Sequence, residues 1–261
     1  YLGDVSQDAA VNFPAGTAYS GSLQSALIAG TFTTNVAVTT RKFILPFQGG
    51  FDGAKPNLKK YSGANITATN TFGFNCSTGT STGTVAYNKA FTLLTNADYY
   101  DMNMLVTPGV IDSLHPYVTG LARSLAETRQ DTFYVMDTNA LTDSITAAVN
   151  QVISLDSNYT AAYWPWVSIQ NPIGNGGLLF VPPSVVVGGA LANNDRLAAQ
   201  WYAPAGLSRG GITGVLDTYV NLTQANRDTL YENRINPIAN FPNDGIAIWG
   251  QKTLQAVPSA L

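Results

Sequence analysis

Charge is what this sequence has least of. Only 11% of its 261 residues are Asp, Glu, Lys or Arg, less than half the roughly 25% usual in soluble domains. The formal net charge is -3, so no basic stripe exists to track phosphates, and nucleic acid is not expected as a partner. Cysteine and histidine are nearly absent as well. With Cys76 and His115 as the single residue of each kind, an internal disulfide framework is excluded and a structural zinc site lacks ligands. The most apolar run, Leu178 to Ala192, is interrupted by Pro182-Pro183 and is shorter than the roughly 20 residues needed to cross a bilayer. No membrane span is expected, and no cofactor or metal either. The Asn-x-Ser/Thr matches at Asn65, Asn75, Asn158 and Asn221 arise by chance in a chain this rich in Asn and Thr. The chain begins at Tyr1 without a basic-then-apolar start, and it reads as a fragment.

What the sequence does have is apolar material and glycine. At 45% apolar and 11% aromatic residues, it can build a sizeable core. Its surface must then consist largely of Ser, Thr, Asn, Gln and Gly, and such a surface repels its neighbours weakly. That composition points to a surface that meets other protein.

Residues 1–41 show no sustained period and read as irregular chain or short strands. Lys42 to Phe47 is a strand candidate closed by Gly49-Gly50-Phe51-Asp52-Gly53. Alternation at Ile66, Ala68, Phe72 and Phe74 inside the polar stretch 62–86 suggests a hairpin or a surface excursion. From residue 98 the pattern changes. Met102 to Val106 is a strand ending at Pro108-Gly109, and a helix follows with Val118, Leu121, Ala122 and Leu125 on one face. Thr132 to Met136 is the next strand, ending at Asp137. A helix from Thr142 buries Ile145, Ala148, Val149, Val152 and Ile153, and Tyr163 to Ile169 is the third strand. Strand, helix, strand, helix, strand is the signature of a parallel sheet with crossover helices. A further helix starts at Pro183 and carries Val186, Val187, Ala190 and Leu191. Thr223 reads as the N-cap of another, which ends before Asn236-Pro237. Gly245 to Gly250 is a closing strand. The fold class is therefore α/β, a largely parallel sheet flanked by helices. Residues 42–53 with 98–261 form the core, and 54–97 are a β-rich insertion or smaller domain in the N-terminal third.

Several stretches could carry chemistry. Gly206-Leu207-Ser208-Arg209-Gly210 matches the G-x-S-x-G spacing, which lets a strand-to-helix turn present a nucleophilic serine. Ala203-Pro204-Ala205 before it cannot be a central strand, and His115 lies far upstream. Gly174-Asn175-Gly176-Gly177 could cradle a phosphate only if it followed a strand and opened a helix, and it follows Asn171-Pro172. Asp98 and Asp101 flank Tyr99-Tyr100 at the mouth of a strand and read as a solvated edge. His115, before Pro116, reads as a cap or a surface residue. Asp137 sits past a parallel strand, where open α/β sheets bind ligands. Tyr163-Trp164-Pro165-Trp166 could stack sugars or bases, although at least one tryptophan should be core. Three readings stay open: a structural subunit, a serine or carboxylate hydrolase acting on envelope polymers, and a carbohydrate-binding module.

A longer run of motifs in order favours the first. Pro182-Pro183-Ser184, Gly188-Gly189-Ala190, Asp195, Trp201, Ala203-Pro204-Ala205-Gly206 and Arg209-Gly210-Gly211-Ile212 resemble the contractile tail sheath proteins of bacteriophages. Leu222, Leu230 and Asn236-Pro237-Ile238 continue the likeness as that family's asparagine-proline turn, and Gly245 to Trp249-Gly250 with Thr253-Leu254 as its last core strand. Upstream, Gly49, Gly50, Asp52 and Gly53 lie in a segment similar to the one that opens the same core, and Val106 to Gly109 and Val135 to Asp137 match its first strand ends. The resemblance spans about 43 to 255. It implies a tail-sheath core and a structural, non-enzymatic role in the virion tail, assembled in the host cytoplasm. Sheath subunits would be the partners, forming hexameric rings in the full-length protein, together with the tail tube and the baseplate. A fragment without its ends should itself be monomeric. It further implies that Pro183, Asp195, Trp201, Pro204, Gly206, Arg209 and Gly210 are scaffold, with glycines for tight backbone geometry, Arg209 for a fork of hydrogen bonds, and Ser208 as a loop residue.

Overall fold

The computed structural model describes residues 66–69, 75–172, 177–199 and 201–257. The strand expected at 42–47, the motif Gly49, Gly50, Asp52 and Gly53, the alternating Phe72 and Phe74, and Gly174 to Gly176 lie outside them.

A helix, α1 (Thr82–Leu94), precedes the alternating part of the chain. It is followed by β1 (Met104–Ile111), α2 (Pro116–Arg129), β2 (Phe133–Asp137), α3 (Ile145–Val152) and β3 (Thr160–Trp164). Next come β4 (Val167–Gln170), β5 (Leu178–Val181), α4 (Ser184–Leu197) and β6 (Val215–Thr218). The last elements are α5 (Gln224–Glu232), β7 (Ile235–Phe241) and β8 (Gly245–Ile248). Five strands form one sheet in the order β1-β2-β3-β7-β8. The first four run parallel and β8 returns antiparallel on β7. A separate antiparallel sheet has the order β5-β4-β6.

The period-2 alternation of the parallel strands sorts their side chains into two cores. Leu105, Tyr134, Met136, Ala162, Trp164 and Ile235 face a layer of helices that supplies Phe91, Val118, Ala122, Leu125, Val152 and Leu230. Val135, Ala161, Tyr163 and Ile238 face the opposite way, against Val187 and Ala190 of α4 and Val167 and Val181 of the small sheet. The large sheet is thus covered on both sides, which is what a parallel sheet requires. Each fully buried Leu or Ile on these layers is worth about 1.5–3 kcal/mol of transfer free energy.

Ile153, expected on the buried stripe of α3, lies just past its end and is exposed, and the sequence-based expectations are further corrected at four places. Residues 82–94 are helical where the polar stretch suggested a hairpin or excursion. Thr84 and Phe91 are buried at helical spacing, the Tyr87 and Phe91 rings meet at 5.8 Å, and Cys76 and Phe91 join the same buried cluster as α2 and α3. The part of 54–97 that is described is therefore a core helix and not β-rich. Second, β1 does not stop at Pro108-Gly109. It bulges there, so that the step from Val106 to Ile111 faces only the step from Val135 to Asp137. Gly109 takes φ +85° and the Thr107 hydroxyl meets Tyr134 Oη at 2.9 Å. Third, the strand expected over Tyr163 to Ile169 is two strands in different sheets. Pro165, which has no N–H to continue a ladder, stands between them after a cis Trp164–Pro165 peptide. Fourth, Asn236-Pro237 lies inside β7, paired with Tyr163 and Trp164, and makes no turn.

The helix ends follow local chemistry. Ser144 Oγ accepts from the Ala147 N–H at 3.2 Å, and Thr223 Oγ1 from the Asn226 N–H at 3.3 Å, both N-caps of the usual kind. Pro183 stands at the N-cap of α4. On that helix Gly189 has open space around an added Cβ, whereas a Cβ on Gly210 would lie 2.6 Å from the Ile248 carbonyl oxygen and 2.8 Å from Ala205 Cα. Gly189→Ala should raise stability by about 0.5–1 kcal/mol through helix propensity. Gly210→Ala should lower it by about 1–3 kcal/mol through backbone displacement. Urea midpoints of the two variants test the pair.

Candidate functional site: backbone-locking clusters and the exposed aromatic loop

The G-x-S-x-G stretch is a clasp on the edge of the large sheet. The Gly206 N–H donates to Ile248 O at 2.8 Å, the Gly210 N–H to Gly206 O at 2.7 Å, and the Ile248 N–H to Gly210 O at 2.8 Å. The Ile212 N–H continues the seam to Ile246 O at 2.9 Å, and Gly211 bridges Ala247. Gly206 has φ +81°, a left-handed conformation that favours glycine. The two glycines of the motif are consumed in sealing an edge that would otherwise expose unpaired backbone groups. Ser208 lies exposed on this loop. His115 is no base for it. Its Nδ1 accepts from the Ile111 N–H at 3.0 Å and its Nε2 bonds Thr67 O at 3.0 Å, with the ring fully buried. Among the described residues Arg209 makes no fork of hydrogen bonds. Its guanidinium carbon sits 4.8 Å over the Tyr202 ring, and Tyr202 in turn stacks with Trp201 at 6.4 Å. Pro204 is half-buried in the same loop. Asp195 is exposed on α4, and its neighbour Asn194 ties helix to loop, its Nδ2 donating to Tyr202 O at 2.9 Å.

A second cluster holds the chain after β8. Asn236, fully buried, uses its side chain as a substitute peptide group. Its Nδ2 donates to Ala162 O at 3.1 Å and Lys252 O at 2.7 Å, and its Oδ1 accepts from the Lys252 N–H at 2.7 Å. Gly250 is needed beside it, since a Cβ there would come within 2.8 Å of Asn236 Oδ1 and 2.9 Å of the Tyr231 ring. The Trp249 N–H donates to Pro237 O at 2.8 Å, and the indole packs on Phe241 with centroids 4.8 Å apart. Arg234, which the sequence reading missed, grips four carbonyls. Its Nη1 donates to Leu155 O and Leu254 O, both at 2.6 Å, and its Nη2 to Val152 O and Ile153 O, both at 3.2 Å. Guanidinium is suited to the C-terminal carbonyls of α3, where the helix dipole is negative. Its only signal in the sequence is a lone arginine before a buried strand.

Asp137 is the remaining candidate. It stands at the end of β2 as expected, fully buried, and accepts from the Ser184 N–H at 3.0 Å and from the Ser184 hydroxyl. The carboxyl that could have met a ligand caps α4 instead. Burial pushes its pKa up to about 7, against the two Ser184 hydrogen bonds that lower it. Trp164 and Trp166 are 3% and 7% exposed, and the Trp166 indole N–H donates to Asn139 O at 2.8 Å. Both belong to the interior, so the pair is no platform for sugars. Asp98 and Asp101 are exposed, as the solvated-edge reading has it.

Asp137, His115 and Asn236 thus turn inward, onto the protein's own backbone, Asp98, Asp101 and Ser208 stay exposed, and the class defined is an α/β domain. The model of the phage tail sheath protein central domain matches residues 54–254, and the chain belongs to that family. Over 80 residues it is 38% identical to the tail sheath protein of Enterobacteria phage T4, a stretch that is 31% of this chain and 12% of that protein. Over 121 residues it is 31% identical to the tail sheath protein of Vibrio phage KVP40, covering 46% of this chain and 17% of the relative. The chain therefore matches only a small part of the length of these curated relatives. Two solved structures share the fold. A chain of the anti-feeding prophage baseplate superposes with a TM-score of 0.50 at 23% identity, covering 64% of this chain and 42% of that one. A chain of the contracted PVC sheath complex, an extracellular contractile injection system, gives 0.50 at 24% identity, with 64% and 45% covered.

Two predictions follow from the clusters. Asn236→Ala should cost about 2–4 kcal/mol, because it strands the Lys252 N–H and two carbonyls, and should make residues 250–257 an early site of limited proteolysis. For Asp137 the folded pKa lies above the unfolded value of 3.8. The folded state holds its proton through the window from about 4 to 7, and stability falls as pH rises across it by at most about 1.4 kcal/mol per unit. His115 acts in the opposite sense, since burial lowers its pKa below 6.5 and stability is lost as pH falls. The Asp137 contribution is therefore read as the difference between the native chain and Asp137→Asn, whose urea-midpoint profile should lack the falling slope.

Proposed function

We propose that this chain is the central part of a structural subunit of a contractile tail sheath, which polymerises around a tail tube and shortens to drive it through the host envelope. The observation that carries the reading is the family match over 54–254, supported by the two phage relatives named tail sheath proteins. On this reading the partners are other copies, arranged as hexameric rings in the full-length protein, with the tube and the baseplate at its inner face and end. The place of action is the virion tail, after assembly in the host cytoplasm. No bond-making step is involved. The work comes from the difference in free energy between an extended lattice and a contracted one, a two-state system under kinetic control.

The geometry suits this role. A subunit that changes neighbours under load needs a body that does not deform, and its polar side chains are spent on holding strand ends, helix ends and the β8 edge in place. Ser208, exposed and far in sequence from a fully engaged His115, gives the hydrolase reading no support. The two buried tryptophans give the sugar-binding reading none. The motif residues Gly49, Gly50, Asp52 and Gly53 are proposed to belong to the same core.

Electron microscopy of the full-length protein after expression should show long tubular polymers. This 261-residue chain should sediment chiefly as a monomer at dilute concentration. A turnover reaction in the purified chain that disappears on Ser208→Ala would overturn the reading.

A further inference from the structure

We propose that the Trp201-Tyr202-Arg209 patch is a docking surface for a second copy of this chain, and that its counterpart there is the acidic, tyrosine-bearing turn Asp98 to Asp101. This rests on the sheath-subunit reading and adds to it a specific pair of surfaces.

Trp201 is 84% exposed and Tyr202 46%, whereas a tryptophan is highly buried on average. The patch is also ordered in advance. Trp201 stacks on Tyr202 with ring planes at 29°, Arg209 lies over the other ring at 4.8 Å, and the Asn194 amide holds the Tyr202 carbonyl. The seam from Gly206 to Ile212 fixes the loop to β8. Trp, Tyr and Arg are the residues that carry most of the energy at protein interfaces, and rings already held in place lose little entropy on binding.

Charge selects the occupant. Arg209 is the only charged residue from 198 to 216, so the loop is purely cationic in a chain of net charge -3. At the opposite edge of the sheet, the chain leading into β1 exposes Asp98, Tyr99, Tyr100 and Asp101, with Tyr99 83% exposed. Neither aspartate has an ion-pair partner among the described residues. Arg129 feels the charge of Asp101, but its guanidinium is committed to Asp131, Leu94 O and Tyr100 O. A guanidinium lying on the outer ring pair through Tyr202 and two carboxylates that bracket Tyr99-Tyr100, none of them in an ion pair among the described residues, are complementary in sign and in apolar content. One set lies beside β8 and the other leads into β1, the two ends of the strand order. A contact between them is heterologous: each added copy leaves the same two surfaces open at the ends, so the contact propagates as a ring or a helix.

The test is site-directed cross-linking of the chain with a short bis-maleimide. Leu207→Cys and Asn96→Cys flank the two surfaces, the second removing only the Asn96 Oδ1 that accepts from the Asp98 N–H at 3.1 Å, and buried Cys76 sets the background in the native chain. A mixture of the two variants should give cross-linked dimer well above either variant alone. Adding Arg209→Glu or Trp201→Ala to the Leu207→Cys partner should lower that yield by about tenfold. Asp98→Lys with Asp101→Lys on the Asn96→Cys partner should lower it similarly and restore it when combined with Arg209→Glu. Dimer no higher in the mixture than in the native chain, equal dimer in either variant alone, or indifference to Arg209→Glu would each overturn the contact. Tubes formed normally by full-length protein carrying Arg209→Glu and Trp201→Ala would do the same while leaving the subunit reading intact. Absence of tubes from the unaltered full-length protein would instead remove the reading on which the contact rests.

Discussion

Every buried N–H and C=O must find a partner, and in this chain that requirement decides which residues stand where. Charged side chains are scarce, so the task falls to amides, hydroxyls and the backbone itself. Asn236 replaces a peptide group between β3 and the segment after β8. Asp137 caps α4, His115 joins the end of β1 to Thr67, and Arg234 collects three carbonyls at and just past the end of α3 together with the Leu254 carbonyl after β8. Loss of any one would leave several orphans together, since each serves more than one element.

The edge of the large sheet is the extreme case. A strand edge left open is a template for unwanted pairing, and β8 is the last strand of its sheet. The clasp from Gly206 to Ile212 covers it by approaching closer than any Cβ at Gly210 would permit. Spacing that resembles a nucleophile elbow is the consequence. The close approach requires a glycine at 210 and the left-handed turn favours one at 206, and a serine between them is incidental.

The proposed mechanical role and this economy of interactions fit together physically. A rigid, weakly charged body can move from one set of neighbours to another without breaking strong ion pairs within itself. The apolar groups left outside, Trp201, Tyr202 and Leu207 on the clasp loop and Leu178, Phe180 and Tyr219 on the outer side of the small sheet, are then available for contacts that form and re-form.

The sequence by itself determined the alternation of strands and helices from β1 to β3, the N-cap at Thr223, the helix start at Pro183, and the buried stripe Val118, Ala122 and Leu125. Those features are written in periods of 2 and 3.6 and in short-range capping chemistry, which depend only on neighbours along the chain. The order of the motifs also carried the family. Only the tertiary structure decided that Asn236-Pro237 is strand and not turn, that Pro165 divides one apolar run between two sheets, that Arg209 stacks on a ring, and that Asp137 faces a helix end. Apart from the Arg209 contact, which lies within one loop, each of these depends on a partner tens of residues away or in another layer. Ser184 is 47 residues from Asp137, and Leu155 is 79 from Arg234. Pairings across such separations leave no period in the sequence, because they are fixed by which surfaces the folded layers bring together.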